Sequence, residues 1–389
     1  MSQPRKRFVS SGVAAVVNGF VLLAGIALFA ASTNLWQQEQ NLPIQLGTSG
    51  GNVNNTSKAF CCSGTLGSLI KDASGNEYIL SNNHILADTD LSANTGRAPE
   101  GDEVSQPGLV DVGCKITPSD SHIVAHVSNW VPLGTHNVDA AIAVTTSGDT
   151  TDEILGIGPV STTAGKATAG EEVAKSGRTT KLTCASVSSI ETTVKVEYQA
   201  GCGSGKKFTL SYTGQVAINS SSFSAAGDSG SLIVDRNSVE PVALLFAGSS
   251  TVTIANPISE VLSGLSAVSS PKTTYSFVGT ATPKAVSCPA GAPAVSINGH
   301  ASQASLQQAL EAKRAHEQEL LADPAIIGVG VGENSENSAE AVVLIYVEQG
   351  RPVGPIPDEL DSVGTEIVRT EAFRAYGWNE HEHQGCVAK

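Results

Sequence analysis

From Cys61 onward, short apolar runs are separated by clusters of Gly, Asn, Asp and Ser. Gly67-Ser68-Leu69-Ile70, Glu77-Tyr78-Ile79-Leu80, Ala140 to Val144, Val194 to Tyr198, Ser231 to Val234 and Val242 to Phe246 are each of strand length. Such runs are too short for helices and recur at close spacing. They predict a mainly β fold, a barrel or sandwich of short strands. The pattern fades after Leu265 and changes at Ala304. From there to Leu321 strong helix formers run unbroken until Asp323-Pro324 stops them, which predicts one helix. The apolar runs Ile326 to Val331 and Ala341 to Val347 come next and predict a small α+β unit.

These changes of texture divide the chain. Residues 1–34 carry a basic cluster, Arg5-Lys6-Arg7, and an uncharged apolar run from Val13 to Ala31. This is the pattern of a signal peptide or an N-terminal membrane anchor, and either exports the chain from residue 35 onward. Residues 35–57, rich in Asn, Gly, Gln and Ser, read as a linker. Residues 58–267 form the mainly β domain. Residues 268–300, with Pro271, Pro283, Pro289 and Pro293, read as a second linker. Residues 301–389 form the α+β unit.

Seven cysteines fit an exported protein that forms disulfides. Cys61 and Cys62 are adjacent, so one of them is expected to pair with Cys114. Cys184 is expected to pair with Cys202 across a hairpin, and Cys386, near the tail, is a candidate free thiol. A hydrophobic fraction of 40% supports a buried core, and a formal net charge of −14 argues against a nucleic-acid partner.

Three stretches carry candidate chemistry. Gly227-Asp228-Ser229-Gly230 precedes an apolar strand, and a glycine at 227 permits a backbone that aims two N–H groups at one point. His84 comes just after the strand run Tyr78-Ile79-Leu80, where a loop can present it. Asp139 stands at the entrance to the run Ala140 to Val144. Singly, each is also what a turn or packing residue looks like. Together they supply what a serine nucleophile needs: an imidazole base and a carboxylate to orient it. The order His, Asp, Ser excludes the subtilisin and α/β-hydrolase arrangements.

In that order, Tyr78 to Ala87, Val138 to Val144 and Ala226 to Val234 resemble the three signatures of chymotrypsin-like (trypsin-like) serine peptidases. Gly64 to Gly67, Gln106 to Asp111, Lys175 to Thr180, Leu244 to Ser249 and Thr253 to Ile258 resemble, more narrowly, a bacterial branch akin to the plant narrow-leaf peptidase. The resemblance implies a double β-barrel over residues 58–267. It implies Ser229 as nucleophile, His84 as general base and Asp139 as orienter, with the N–H groups of Gly227 and Ser229 as oxyanion hole. Phe223, Phe246, Ala247 and Gly248 would bind a peptide or protein substrate, and no metal or organic cofactor is required. Part of the α+β unit resembles a small companion domain of the same proteins, of unknown role, with inhibition and targeting both open.

Two departures from the family pattern matter. No Ile-Val-Gly-Gly-type start is visible, so other contacts must hold Asp228. Phe223 stands where a trypsin-like pocket carries an acid, which implies a closed or apolar pocket. A catalytically silent scaffold of the same fold is the alternative. Gly201 to Lys207 departs from a phosphate loop, His381, His383 and Cys386 are a weak metal set, and His136 is a rival base by proximity to Asp139.

Overall fold

The computed structural model describes Met1 and residues 34–58, 60–87, 100–117, 121–202, 205–291, 300–375 and 386–388. The apolar run Val13 to Ala31, expected as signal or anchor, and the histidines of the tail lie outside the described residues. Among the described residues no helix is long and apolar enough to cross a membrane.

The mainly β expectation holds. One sheet has eight strands, in the order Tyr275–Phe277, Ser68–Asp72, Glu77–Ser81, Ala141–Thr145, His122–Trp130, Glu103–Gln106, Thr48–Asn52 and Gly64–Leu66. The last of these and Ser68–Asp72 are separated in sequence by Gly67 alone, so the sheet curls until its ends meet. Leu66, Leu69, Ile79, Leu80, Val127, Ala141 and Ile142 are all buried in the core around it. Runs such as Ala140 to Ala143 lack alternation because both faces are covered.

A second sheet contains Lys181–Ser186, Glu172–Gly177, Leu232–Asp235, Pro241–Gly248, Val252–Pro257, Lys207–Asn219 and Ser189–Gln199, in that order. It does not stop there. Ile326–Glu333 pairs antiparallel with Ser189–Gln199, and Ala341–Glu348 and Val363–Thr370 continue outward. The helix Gln303–Leu320 begins where Ser302 accepts the Ser305 N–H at 3.1 Å, and its Ala309 and Ala312 pack on these added strands. The α+β unit therefore shares a sheet with the preceding region. Tyr346 and Ser189 meet through their hydroxyls at 2.8 Å across the join.

Both expected linkers are corrected in part. Within residues 35–57, Thr48–Asn52 is a fully buried strand paired with Gly64–Leu66 and Glu103–Gln106. Its small residues report close packing: a Cβ on Gly50 would lie 2.4 Å from Leu66 Cγ. Within residues 268–300, Tyr275–Phe277 is the end strand of the first sheet, a position that tolerates flanking prolines. Val286 is buried in the same core.

Cys61 bonds Cys114, as expected of one of the adjacent pair. The Cys184–Cys202 pairing is overturned: Cys184 bonds Cys288 and Cys202 bonds Cys62. Cys184 lies on Lys181–Ser186, which pairs with Glu172–Gly177, whereas Cys202 lies in the turn beyond the strand Ser189–Gln199. The two are not hairpin partners. The Cys386 side chain lies outside what is described.

Candidate active site

The strand Glu77–Ser81 leads into a one-turn helix, Asn83–Leu86, that carries His84. The two asparagines before His84 anchor this turn. Asn82 donates to the Asp139 carbonyl and Asn83 to the Val131 carbonyl, each at 2.8 Å. His84 is thereby held against the start of Ala141–Thr145. Its Nδ1 lies 2.7 Å from Asp139 Oδ2, with the two side chains 2% and 0% exposed. The His84 backbone N–H also donates to Asp139 Oδ1, at 3.3 Å. A carboxylate only accepts, so Nδ1 is the proton-bearing nitrogen of this contact, and in the neutral imidazole the lone pair falls on Nε2.

Tyr198, on Ser189–Gln199, lies outside the three signature stretches, yet its hydroxyl donates to Asp139 Oδ2 at 3.0 Å and meets the Tyr212 hydroxyl at 2.8 Å. Burial first, then the adjacent Asp139 charge, pushes the Tyr198 phenol well above its usual value. It therefore stays protonated and remains a donor across the range in which a histidine base works. Its alternating strand marks an inward face, but nothing in the sequence pairs it with Asp139.

The loop of residues 227–230 is built on the first sheet. Thr65 donates its N–H to the Ser229 carbonyl at 2.8 Å and its hydroxyl to the Gly227 carbonyl at 3.0 Å. Ser81, three residues before His84, donates to the Thr65 carbonyl at 2.8 Å. Gly227 has a φ of +95°, a left-handed conformation that a side chain would strain. Among the described residues the N–H groups of Gly227 and Ser229 donate to no protein acceptor.

Asp228, expected to be held by contacts other than a new N-terminus, is fully buried and saturated. It accepts from the N–H groups of Ala225 (2.9 Å), Thr179 (2.8 Å) and Thr180 (3.1 Å), and from the Thr180 hydroxyl (2.7 Å). Lys175 Nζ lies 3.5 Å away with no exposure. Burial pulls the lysine's pKa down, opposed by the Asp228 charge. Nearby, Arg178 grips Asp111 with two bonds of 2.7 Å.

Ser229 Oγ and His84 Nε2 are both buried, and neither has a hydrogen-bond partner among the described residues. No hydrogen bond joins them. His136 is exposed, and the Asp139 carboxylate meets the His84 ring.

No family model matches the sequence, and no curated protein matches it significantly. Solved structures do. A Nocardiopsis protease matches at 15% identity over 56% of this chain and 95% of its own, with a TM-score of 0.36. A glutamic acid-specific serine protease matches at 19% over 59% of this chain and 99% of its own, at 0.37. A chymotrypsin of Cellulomonas bogoriensis matches at 14% over 61% of this chain and 99% of its own, at 0.35. At identities this low, the roles of the residues here rest on their own geometry.

The substrate residues expected from the sequence divide. Phe223 is fully buried in a core with Val216, Ile218, Ile233 and Leu245. Its ring faces Lys175 Nζ at 5.8 Å rather than a cavity. Phe246 is equally buried and packs on Tyr212, with ring centroids 4.9 Å apart. Ala247 and Gly248 end the strand Pro241–Gly248, whose Leu245 carbonyl accepts from Gly230 N–H at 2.9 Å. A cleft of 660 Å³ lined by Asn137, Lys166, Glu191, Glu260 and Arg314 includes none of the three candidate catalytic residues.

Proposed function

We propose that this protein is an exported serine endopeptidase that cleaves peptide bonds through an acyl-enzyme. The observation that carries the reading is the buried 2.7 Å contact of His84 Nδ1 with Asp139, beside which His84 Nε2 and Ser229 Oγ are each buried and unpartnered among the described residues. His84 takes the Ser229 proton as Oγ attacks the scissile carbonyl. It then gives that proton to the leaving amine, and a water repeats the sequence on the ester. Asp139 holds the tautomer. The N–H groups of Gly227 and Ser229 receive the oxyanion, a role worth about 3 to 4 kcal/mol for one such donor. The Ser229–His84 bond is unmade here, and such bonds tighten on substrate binding.

Three disulfides among the described residues support an oxidising compartment, extracellular or periplasmic. The narrow-leaf-type branch rests on the stretches that resemble it; of their residues, Lys175 and Thr180 contact Asp228, and Arg178 pairs with Asp111. The open Ser229–His84 contact also favours a second reading, a catalytically silent scaffold.

The two readings separate in one assay. A p-nitrophenyl ester should give a burst of about one nitrophenol per protein before a slower steady rate, the mark of an accumulating acyl-enzyme. Absence of both burst and peptide hydrolysis selects the scaffold. A positioning role for Tyr198 has its own expected result: Tyr198→Phe lowers kcat roughly tenfold with KM unchanged, since a bond to a buried carboxylate is worth about 1.5 to 3 kcal/mol. A change in KM alone would contradict it.

A further inference from the structure

The strand Phe373–Ala375 leaves the outer end of the shared sheet and returns to the nucleophile. On one side it pairs antiparallel with Pro241–Gly248, Ala375 opposite Ala247 and Arg374 opposite Gly248. On the other it pairs parallel with Ser189–Gln199, Phe373 opposite Val196 and Arg374 opposite Glu197. It thus fills the gap between two strands that are otherwise joined only through Val252–Pro257 and Lys207–Asn219.

The position of that gap is informative. Leu245 is tied to the two residues that follow Ser229, accepting from Gly230 N–H at 2.9 Å and donating to the Ser231 carbonyl at 3.0 Å. Ala247 and Gly248 lie further outward on the same strand. An extended peptide reaching Ser229 along this edge must lie beside them. Phe373–Ala375 lies there already. Its polarity is also that of a substrate: from Arg374 to Ala375 the chain passes from Gly248 to Ala247, toward the nucleophile, as residues on the acyl side of a scissile bond must.

The occupant is anchored at its N-terminal end. Phe373 is buried against Tyr346, with ring centroids 5.7 Å apart. Upstream, Thr370 shares a hydroxyl contact with Ser249, and Ser250 N–H donates to the Glu371 carboxylate at 3.4 Å. Arg374 Nε lies 3.8 Å from Glu197.

We propose that the chain's own Phe373–Ala375 is an intramolecular competitor, occupying the Ala247–Gly248 edge that the sequence resemblance assigns to the substrate backbone. The inference rests on the peptidase reading. A tethered occupant acts at a high effective concentration, so an extended substrate meets a site that is open only part of the time, and its apparent affinity falls by that fraction. A small ester that needs no strand pairing is unaffected.

The test compares the full-length chain with Phe373→Ser and with Arg374→Pro, using a tetrapeptide p-nitroanilide, a single-residue p-nitrophenyl ester and a fluorophosphonate probe. Phe373→Ser removes the buried anchor. Arg374→Pro removes one backbone N–H from a partly exposed residue and decides the matter if the first variant does not fold. The expected result is a KM for the tetrapeptide lower by roughly tenfold or more, with ester turnover and probe labelling unchanged. A folded variant that keeps ester turnover but shows an unchanged or raised tetrapeptide KM overturns the inference and leaves the peptidase reading standing. Loss of ester turnover and labelling in the unsubstituted chain itself sinks both.

Discussion

Replacing Asp139 by Asn lowers kcat for a tetrapeptide p-nitroanilide by about four orders of magnitude, with the fold retained. The reason lies in who donates to whom. Asp139 Oδ2 accepts from both His84 Nδ1 and the Tyr198 hydroxyl, and Oδ1 faces the His84 backbone N–H. An amide has one oxygen. If that oxygen takes the Oδ2 place, its NH2 confronts the His84 backbone N–H. If it takes the other place, the NH2 confronts Nδ1 and drives the imidazole to the tautomer whose Nε2 carries the proton. That tautomer cannot accept from Ser229. Thermal melting beside the rate measurement separates lost chemistry from lost fold, and a folded variant within tenfold of the parent rate would remove Asp139 from the mechanism.

Lys175→Met is expected to cost about 3 to 5 kcal/mol of stability, because it leaves a buried carboxylate without its countercharge. Lys175 and Asp228 are both fully buried, and Lys175 also bonds the Thr180 hydroxyl and the Lys181 carbonyl. Neutralising the partner as well, in Lys175→Met/Asp228→Asn, should cost less than the two single changes added together, since the pair is coupled. Urea unfolding of the three variants reads this directly. Additive losses would mean that Lys175 acts through packing alone. Asp228 lies between the two proposed oxyanion donors, so the surviving folded fraction of Lys175→Met should also turn over more slowly.

The apolar rhythm made the strands legible, since Glu77–Ser81, Ala141–Thr145 and Pro241–Gly248 each coincide with an apolar run of the sequence. The helix at Gln303–Leu320 was equally plain because Asp323-Pro324 marks its end. Thr48–Asn52 resembles a linker for a physical reason: glycine and serine serve both flexible chain and tight packing, and composition does not distinguish them. The disulfides were half legible. Adjacency excluded a Cys61–Cys62 bond, but Cys184–Cys288 spans 104 residues and depends on where a proline-rich segment is strapped. Within the site, the short stretches around His84, Asp139 and Ser229 carried their own signal. Tyr198 did not, and Lys175, although inside a stretch that resembles the family, was not legible as the partner of Asp228, because the significance of each is a partner distant in sequence. The return of Phe373–Ala375 to the strand behind Ser229 was wholly invisible, being three residues whose pairing depends on the placement of the entire sheet.

The most direct measurement is to treat the full-length protein with a fluorophosphonate and locate the modified residue by peptide mass spectrometry. The account predicts a single covalent adduct on Ser229, lost in Ser229→Ala and strongly slowed in His84→Ala. An adduct on another residue, or labelling that survives Ser229→Ala, would contradict it.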